Sequence, residues 1–173
     1  DKAIEVIINY LIKKHHTHIA YINISEKYNF ANERKSSFLK NLKLNNISFN
    51  PNYYASVKLE EPENSFEIIR KMLTKNKQIS SIICSTEFSA LSAIKACNYL
   101  NYKIGKDISI ITFDGALVRD LSSPPITAVS FPVKELGKRA INILLNKNKN
   151  KNQTVSYLAK TEIIERGSVH IVS

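Results

Sequence analysis

Few side chains in this sequence are placed for chemistry by type and spacing. Asp114 directly follows the apolar run at 108–113 and precedes Gly115, so its carboxylate stands at the end of a buried strand. There it can accept hydrogen bonds from anything bound in a cleft beyond that end. The competing role is a cap for the segment 116–121. Arg34 falls in the first turn of a helix predicted over 30–43, where a positive charge opposes the helix dipole. Either it reaches a polar partner elsewhere, or it forms a surface salt bridge with Glu33 or Glu5 that contributes little. His15-His16-x-His18 is the one metal-like grouping. It spans a helix end and a strand start, so the three rings cannot converge without distortion. A histidine at a helix C-terminus also has the last carbonyls to bond. No metal or cofactor is expected.

Catalytic signatures are missing from the sequence. There is no G-x-S-x-G elbow, Walker loop or G-x-G-x-x-G, and Gly105, Gly115, Gly137 and Gly167 are isolated. Gly105-Lys106 reads as a turn before a strand. The chain is therefore not expected to be an enzyme.

The 25 basic and 15 acidic side chains give a net charge of +10. Counterion release would make such a surface favour nucleic acid, but the charge is poorly arranged for it. Arginine, the residue suited to bidentate phosphate and guanine contacts, occurs only at 34, 70, 119, 139 and 166. The lysines are scattered, and the dense stretch 147–152 alternates Lys with Asn without apolar periodicity, as a solvated loop does. Direct nucleic-acid binding by this segment is not expected. Two cysteines, Cys84 and Cys97, are too few for a disulfide framework and suit a reducing, cytoplasmic setting. No apolar run is long enough to cross a membrane, and the first residues lack a secretory layout.

The elements that must position Arg34 and Asp114 follow from periodicity. Helices are predicted over 2–14, 30–43, from about 62, 87–100 and 132–145, the last opening with a proline in its first turn. Anchors are Phe38, Leu39 and Leu42 in the second; Phe66, Ile69, Met72 and Leu73 in the third; Leu91, Ile94 and Leu100 in the fourth. Strands are predicted at 18–24, 53–57, 80–84, 108–113, 126–131 and 154–164. Continuous apolar strands alternating with helices indicate an α/β fold, a parallel sheet with helices on both faces. Its carboxyl edge then carries Asn23, Ser85, Thr86 and Asp114.

The stretch from 108, ISIITFDGALVRDLSSPPITAVSFPVKELGKRA, resembles the effector-binding domain of lactose/galactose-repressor-type bacterial transcription regulators. That family shows a strand ending in F-D-D, an S-P-P-L-T-T-V segment, and P-x-x-E-L-G-x-x-A opening a helix. Upstream, SIICSTEFSALSAI, KKHHTHIAYI and NERKSSF resemble further family segments in the same order. Departures are His15, Ser37, Ser92 and Thr112 at family glycines, Gly115 at the second aspartate, and Thr86-Glu87 in place of Asn/Thr-Asp.

The resemblance implies a periplasmic-binding-protein type I-like fold, mostly its C-terminal lobe. Residues 1–124 and about 154–173 would form that lobe. Residues 125–153 would be a crossover and a helix that packs on an N-terminal lobe absent from this sequence. It further implies a small effector, sugar-like or nucleobase-like, and a homodimer. Operator DNA would be bound through an N-terminal helix-turn-helix, also absent here, with no membrane partner. Arg34 resembles the family arginine that donates to effector oxygens, and Asp114 the carboxylate that accepts from the effector's hydroxyls or ring N–H groups. Thr86 occupies a polar contact position. Phe131 offers a ring face to a sugar or else packs the hinge, with Phe30 and Tyr28 at the cleft rim. Ser89, Leu91, Ser92, Ala93 and Ala96 would provide dimer contacts, together with the segment 115–123. The exposed stripe Val133, Leu136, Ala140, Ile143 and Leu144 would face the other lobe. The alternative is a sugar-binding protein serving a membrane transporter, which shares the two-lobe fold.

Overall fold

The computed structural model describes residues 2–58, 61–114, 121–146 and 159–172. The elements in chain order are α1 (Lys2–Lys13), β1 (Ile19–Ile24), α2 (Asn29–Leu44), a short 3-10 turn (Pro51–Tyr53) and β2 (Tyr54–Val57). They continue as α3 (Pro62–Lys75), β3 (Ser81–Cys84), α4 (Glu87–Tyr99), β4 (Ser109–Phe113), β5 (Thr127–Ser130), α5 (Val133–Asn146) and β6 (Glu162–Ile164). The six strands form one sheet in the order β2-β1-β3-β4-β5-β6. The first four pairings are parallel, and β5–β6 is antiparallel. Of the strand expected over 154–164, only β6 forms among the described residues; 154–158 lie outside them.

The strands look uniformly apolar because each side of the sheet is covered, yet their side chains still alternate. Ala20, Ile22, Ile82, Cys84 and Ile110 point into a core shared with α3 and α4. Tyr21, Ile83, Ile111 and Phe113 point into a second core with α1 and α2. Helix α1 buries Ile4, Ile7, Ile8 and Leu11 completely. Each such side chain contributes about 1.5–3 kcal/mol of burial, which fixes α1 against the sheet.

Two anchor expectations need correction. In α3, Ile69, Met72 and Leu73 are buried, but Phe66 is only partly so. In α4, Leu91 points outward and is 40% exposed. The small residues Ala90, Ala93, Ala96 and Cys97 face the sheet and α3 instead.

Three helices end in the same way. At α1 the His16 N–H bonds the Leu11 carbonyl and His15 N–H the Ile12 carbonyl, with His15 at φ 65°. Helix α2 repeats this with Asn46 at φ 57°, and α4 with Asn101 at φ 61°. This paired bonding with a left-handed residue is the Schellman stop. Asparagine tolerates that conformation; histidine adopts it at a steric cost.

Candidate functional site

Parallel pairing of β1 to β5 brings their carboxyl ends to one side of the sheet, where the backbone leaves β3 at Ser85, β4 at Asp114 and β5 at Phe131. Helix α2 starts just beyond β1, so its first two turns stand over that edge. Because α2 begins at Asn29, Arg34 lies in the second turn and not the first, which removes the dipole objection. Its Nη1 donates to the main-chain oxygen of Ser85 at 3.3 Å. The guanidinium carbon lies 3.9 Å from the centre of the Phe113 ring and 5.3 Å from that of Phe30. Phe131 stacks on Phe113, centroids 6.4 Å apart and planes 13° apart, and Tyr28 stacks on Phe30 at 5.7 Å.

The structure thus gathers Arg34, Phe30, Tyr28 and, through Phe113, Phe131. Burial lowers the Arg34 pKa from its ordinary value, partly offset by Tyr21. A guanidinium on an aromatic face is held in plane and keeps its N–H edge for acceptors. Asp114 is the next residue after Phe113 and is exposed, its N–H donating to the Val129 carbonyl at 2.8 Å. It sits at φ 67°, a strained conformation for a residue other than glycine. Of the segment 116–121, for which a capping role of Asp114 is the competing reading, residues 116–120 lie outside the described residues, as does most of the segment 115–123 expected at the dimer contact.

Thr86 is the N-cap of α4. Its Oγ1 accepts from the Ser89 N–H at 3.1 Å, and the Ser89 hydroxyl faces the Thr86 N–H in return. The threonine hydroxyl therefore has a structural task at this edge. The expected dimer set also needs correction. Ala93 and Ala96 are completely buried within the chain and Ser89 nearly so, while Ser92 is mostly buried and reaches the surface only at the groove it lines with Leu91. Leu91 is exposed, beside exposed Phe88, and both line a groove of about 280 Å³ with Phe66, Glu63 and Lys95.

Asn23 and Ser85, expected at this edge, form the floor of the site together with Tyr21, which is not among the expected site residues. Tyr21 and Asn23 on β1 are fully buried and bond Ser85, whose carbonyl holds Arg34. The available signal was an asparagine inside the apolar run HIAYINI, since a buried amide must be satisfied by neighbours. Burial pushes the Tyr54 phenol up to about 12 and raises Tyr21 further, so both act as neutral hydroxyls. Burial also raises the Cys84 thiol and pushes Cys97 up to about 12, leaving neither nucleophilic.

The rings of the histidine grouping part, His16 bonding Ser80 and His170 while His18 faces the Tyr53 hydroxyl. Among the described residues, no three His, Cys, Asp or Glu side chains are placed to hold a metal. His16 lies fully buried at the amino edge of the sheet. Its Nε2 donates to the His170 carbonyl at 3.0 Å, so Nδ1 accepts from the Ser80 hydroxyl at 2.9 Å. The Ser109 hydroxyl joins His16 and His170, at 3.1 Å and 2.9 Å. Burial pushes the His16 pKa down to about 4, against the hydrogen bond to His170.

A parallel sheet with a polar, aromatic-walled cluster at its carboxyl edge defines a ligand-binding lobe of the α/β type. The chain belongs to the periplasmic binding protein-like domain family, whose model matches residues 8–169. It is similar to a protein of Histophilus somni described as HTH-type transcriptional repressor PurR, 31% identical over 142 residues, covering 82% of this chain and 42% of that protein. The protein of the same name from Aliivibrio fischeri is 29% identical over 163 residues, covering 92% and 48%. The chain thus spans about half the length of the curated relatives it matches. A LacI-family transcriptional regulator from Bifidobacterium animalis superposes with a TM-score of 0.89 at 21% identity, covering 99% of this chain and 62% of that one. A sugar-binding LacI-family regulator from Escherichia coli, complexed with phosphate, gives 0.88 at 21% identity, covering 99% and 61%. The two curated relatives are described as transcriptional repressors, in line with the resemblance to lactose/galactose-repressor regulators. No helix among the described residues is long and apolar enough to cross a membrane.

Proposed function

We propose that this chain is the ligand-sensing part of a bacterial transcriptional regulator, binding a small polar effector at the carboxyl edge of its sheet. The observation that carries the proposal is the seat of Arg34: a half-buried guanidinium on the Phe113 ring, one residue from a strained, exposed Asp114. Arg34 donates to effector oxygens, Asp114 accepts from hydroxyls or ring N–H groups, and Phe131 and Phe30 offer ring faces. Sugar-like and nucleobase-like molecules present that mix of paired polar edges and flat surface. Charged hydrogen bonds of this kind contribute about 1.5–3 kcal/mol each.

In the full protein, the effector is held between this lobe and a second one, with 125–153 crossing between them and α5 packed on the other lobe. The apolar face of α5 supports that arrangement, with Val133, Ile141, Leu144 and Leu145 each more than half exposed. The regulator acts as a cytoplasmic homodimer through the Phe88–Leu91 face. It binds operator DNA through a helix-turn-helix domain elsewhere in the polypeptide. Effector binding changes DNA affinity only through its preference for one of two states, typically worth about 1–3 kcal/mol.

The test is a calorimetric titration of the chain with a panel of ribose, cellobiose, hypoxanthine and inorganic phosphate. Asp114→Asn and Arg34→Ala are expected to abolish binding of the member that binds, while far-UV dichroism stays unchanged. Unaltered affinity in both variants removes the site.

A further inference from the structure

We propose that Asn23 is the positioning residue of this site, setting both points from which Arg34 is aimed. The inference rests on reading Arg34 as an effector contact. Asn23 is fully buried on β1, and its amide is bonded on both sides. Its Oδ1 accepts from the Ser85 hydroxyl at 2.8 Å and from the Ile24 N–H at 2.9 Å. Its Nδ2 donates to the Ala31 carbonyl at 2.9 Å and to the Tyr54 hydroxyl at 3.1 Å. The Tyr21 hydroxyl, 2.8 Å from Ser85 Oγ and 3.1 Å from Asn23 Oδ1, closes the group.

Two of these partners matter for Arg34. Ala31 lies in the first turn of α2, one turn before the arginine, and sets where the side chain starts. Ser85 supplies the carbonyl to which Nη1 donates. One amide therefore ties the root of the arginine and the acceptor at its tip to the same point on the central sheet. A buried network of this sort holds a single geometry because every member loses a partner if any one moves. Tyr54 extends it outward: its hydroxyl donates to Glu26 at 3.0 Å, and Glu26 pairs with Lys35 at 2.6 Å, one residue past Arg34. Leucine at position 23 would fill the space and leave Ser85 and the α2 turn unconnected.

The experiment uses the 173-residue chain and reads Arg34 without ligand. In ¹⁵N–¹H spectra, the Arg34 Nε–Hε signal, assigned by its loss in Arg34→Lys, carries a ring-current shift from Phe113. Asn23→Asp keeps the acceptor for Ser85 but turns an oxygen towards the Ala31 carbonyl, and Ser85→Ala cuts the opposite arm. Both are expected to lose that shift. In the cellobiose and hypoxanthine titrations, each is expected to weaken the bound probe about tenfold, the equivalent of one mis-set charged hydrogen bond. A lower melting temperature with the Arg34 signal in place overturns the proposal, leaving Asn23 a core residue only. If Asn23→Asp fails to fold, Ser85→Ala decides by the same readout. Failure of the effector reading appears separately, as unchanged probe affinity in Arg34→Ala.

Discussion

The two ends of this sheet handle polar groups in opposite ways. At the amino edge, His16, Ser80, Ser109 and His170 form one bonded group, with His16 and Ser109 fully enclosed and Ser80 and His170 half-buried. At the carboxyl edge, the buried layer of Tyr21, Asn23 and Ser85 is equally complete. Above it stand a half-buried arginine, exposed aromatic rings and an aspartate in left-handed backbone. The first end spends its polar groups on stability. The second holds them ready at some cost to stability, as binding sites do. That contrast separates the two edges more sharply than residue type does, since both carry hydrogen-bonding side chains next to buried strands.

Substitutions can break this comparison, and the largest effect is expected at the closed end. His16→Ala leaves Ser80 and the His170 carbonyl without their partner and opens a cavity. A loss of about 3 kcal/mol in urea denaturation is expected, with the effector titration unchanged. Acidification should act at the same place. The folded His16 pKa near 4 lies below the value of about 6.5 for an unfolded histidine, so the unfolded chain binds the proton first. This contribution is complete above about pH 6.5 and is lost as pH falls towards 4, amounting to about 3 kcal/mol. Denaturant midpoints at pH 7 and 4.5 measure it, and His16→Asn should flatten the difference. At the open end, Asp114→Gly relieves the left-handed backbone and is expected to stabilise the fold by about 1 kcal/mol, while effector affinity falls. His15→Gly relieves the same strain at the end of α1, for a gain of about 0.5–1 kcal/mol, and leaves binding untouched. Equal effects of the two glycine substitutions on binding would erase the distinction between the edges.

Much of the framework was legible in the sequence because a sheet covered on both faces writes its strands as apolar runs and its helices as periodic ones. Boundaries of the first five strands and of four helices, and the start of α3, lie within one or two residues of expectation. Helix α4 misled because alanines bury it. Large apolar residues mark a packed face in sequence, and here Leu91 marks the outer one. Residues 159–161, expected in the last strand, are irregular, because a three-residue strand carrying Glu162 gives hardly any alternation to read. Of the site, Arg34, Phe30, Tyr28 and Phe131 stand out in the sequence, whereas Phe113 stands out only as the end of the apolar run before Asp114; its ring serves core and site at once. The network around His16 was illegible, since Ser80, Ser109 and His170 come from segments far apart along the chain. Only the sheet makes them neighbours.

The sheet's margins carry a consequence of their own. One border is β2, four residues long, and the other is β6, three residues long and flanked by Lys160, Glu165 and Arg166. Unpaired backbone at a border is a template for docking another chain, and brief, charge-flanked strands offer it little purchase. Among the described residues, two such short ends give strand addition little to build on. Any self-association is steered towards its helical surfaces.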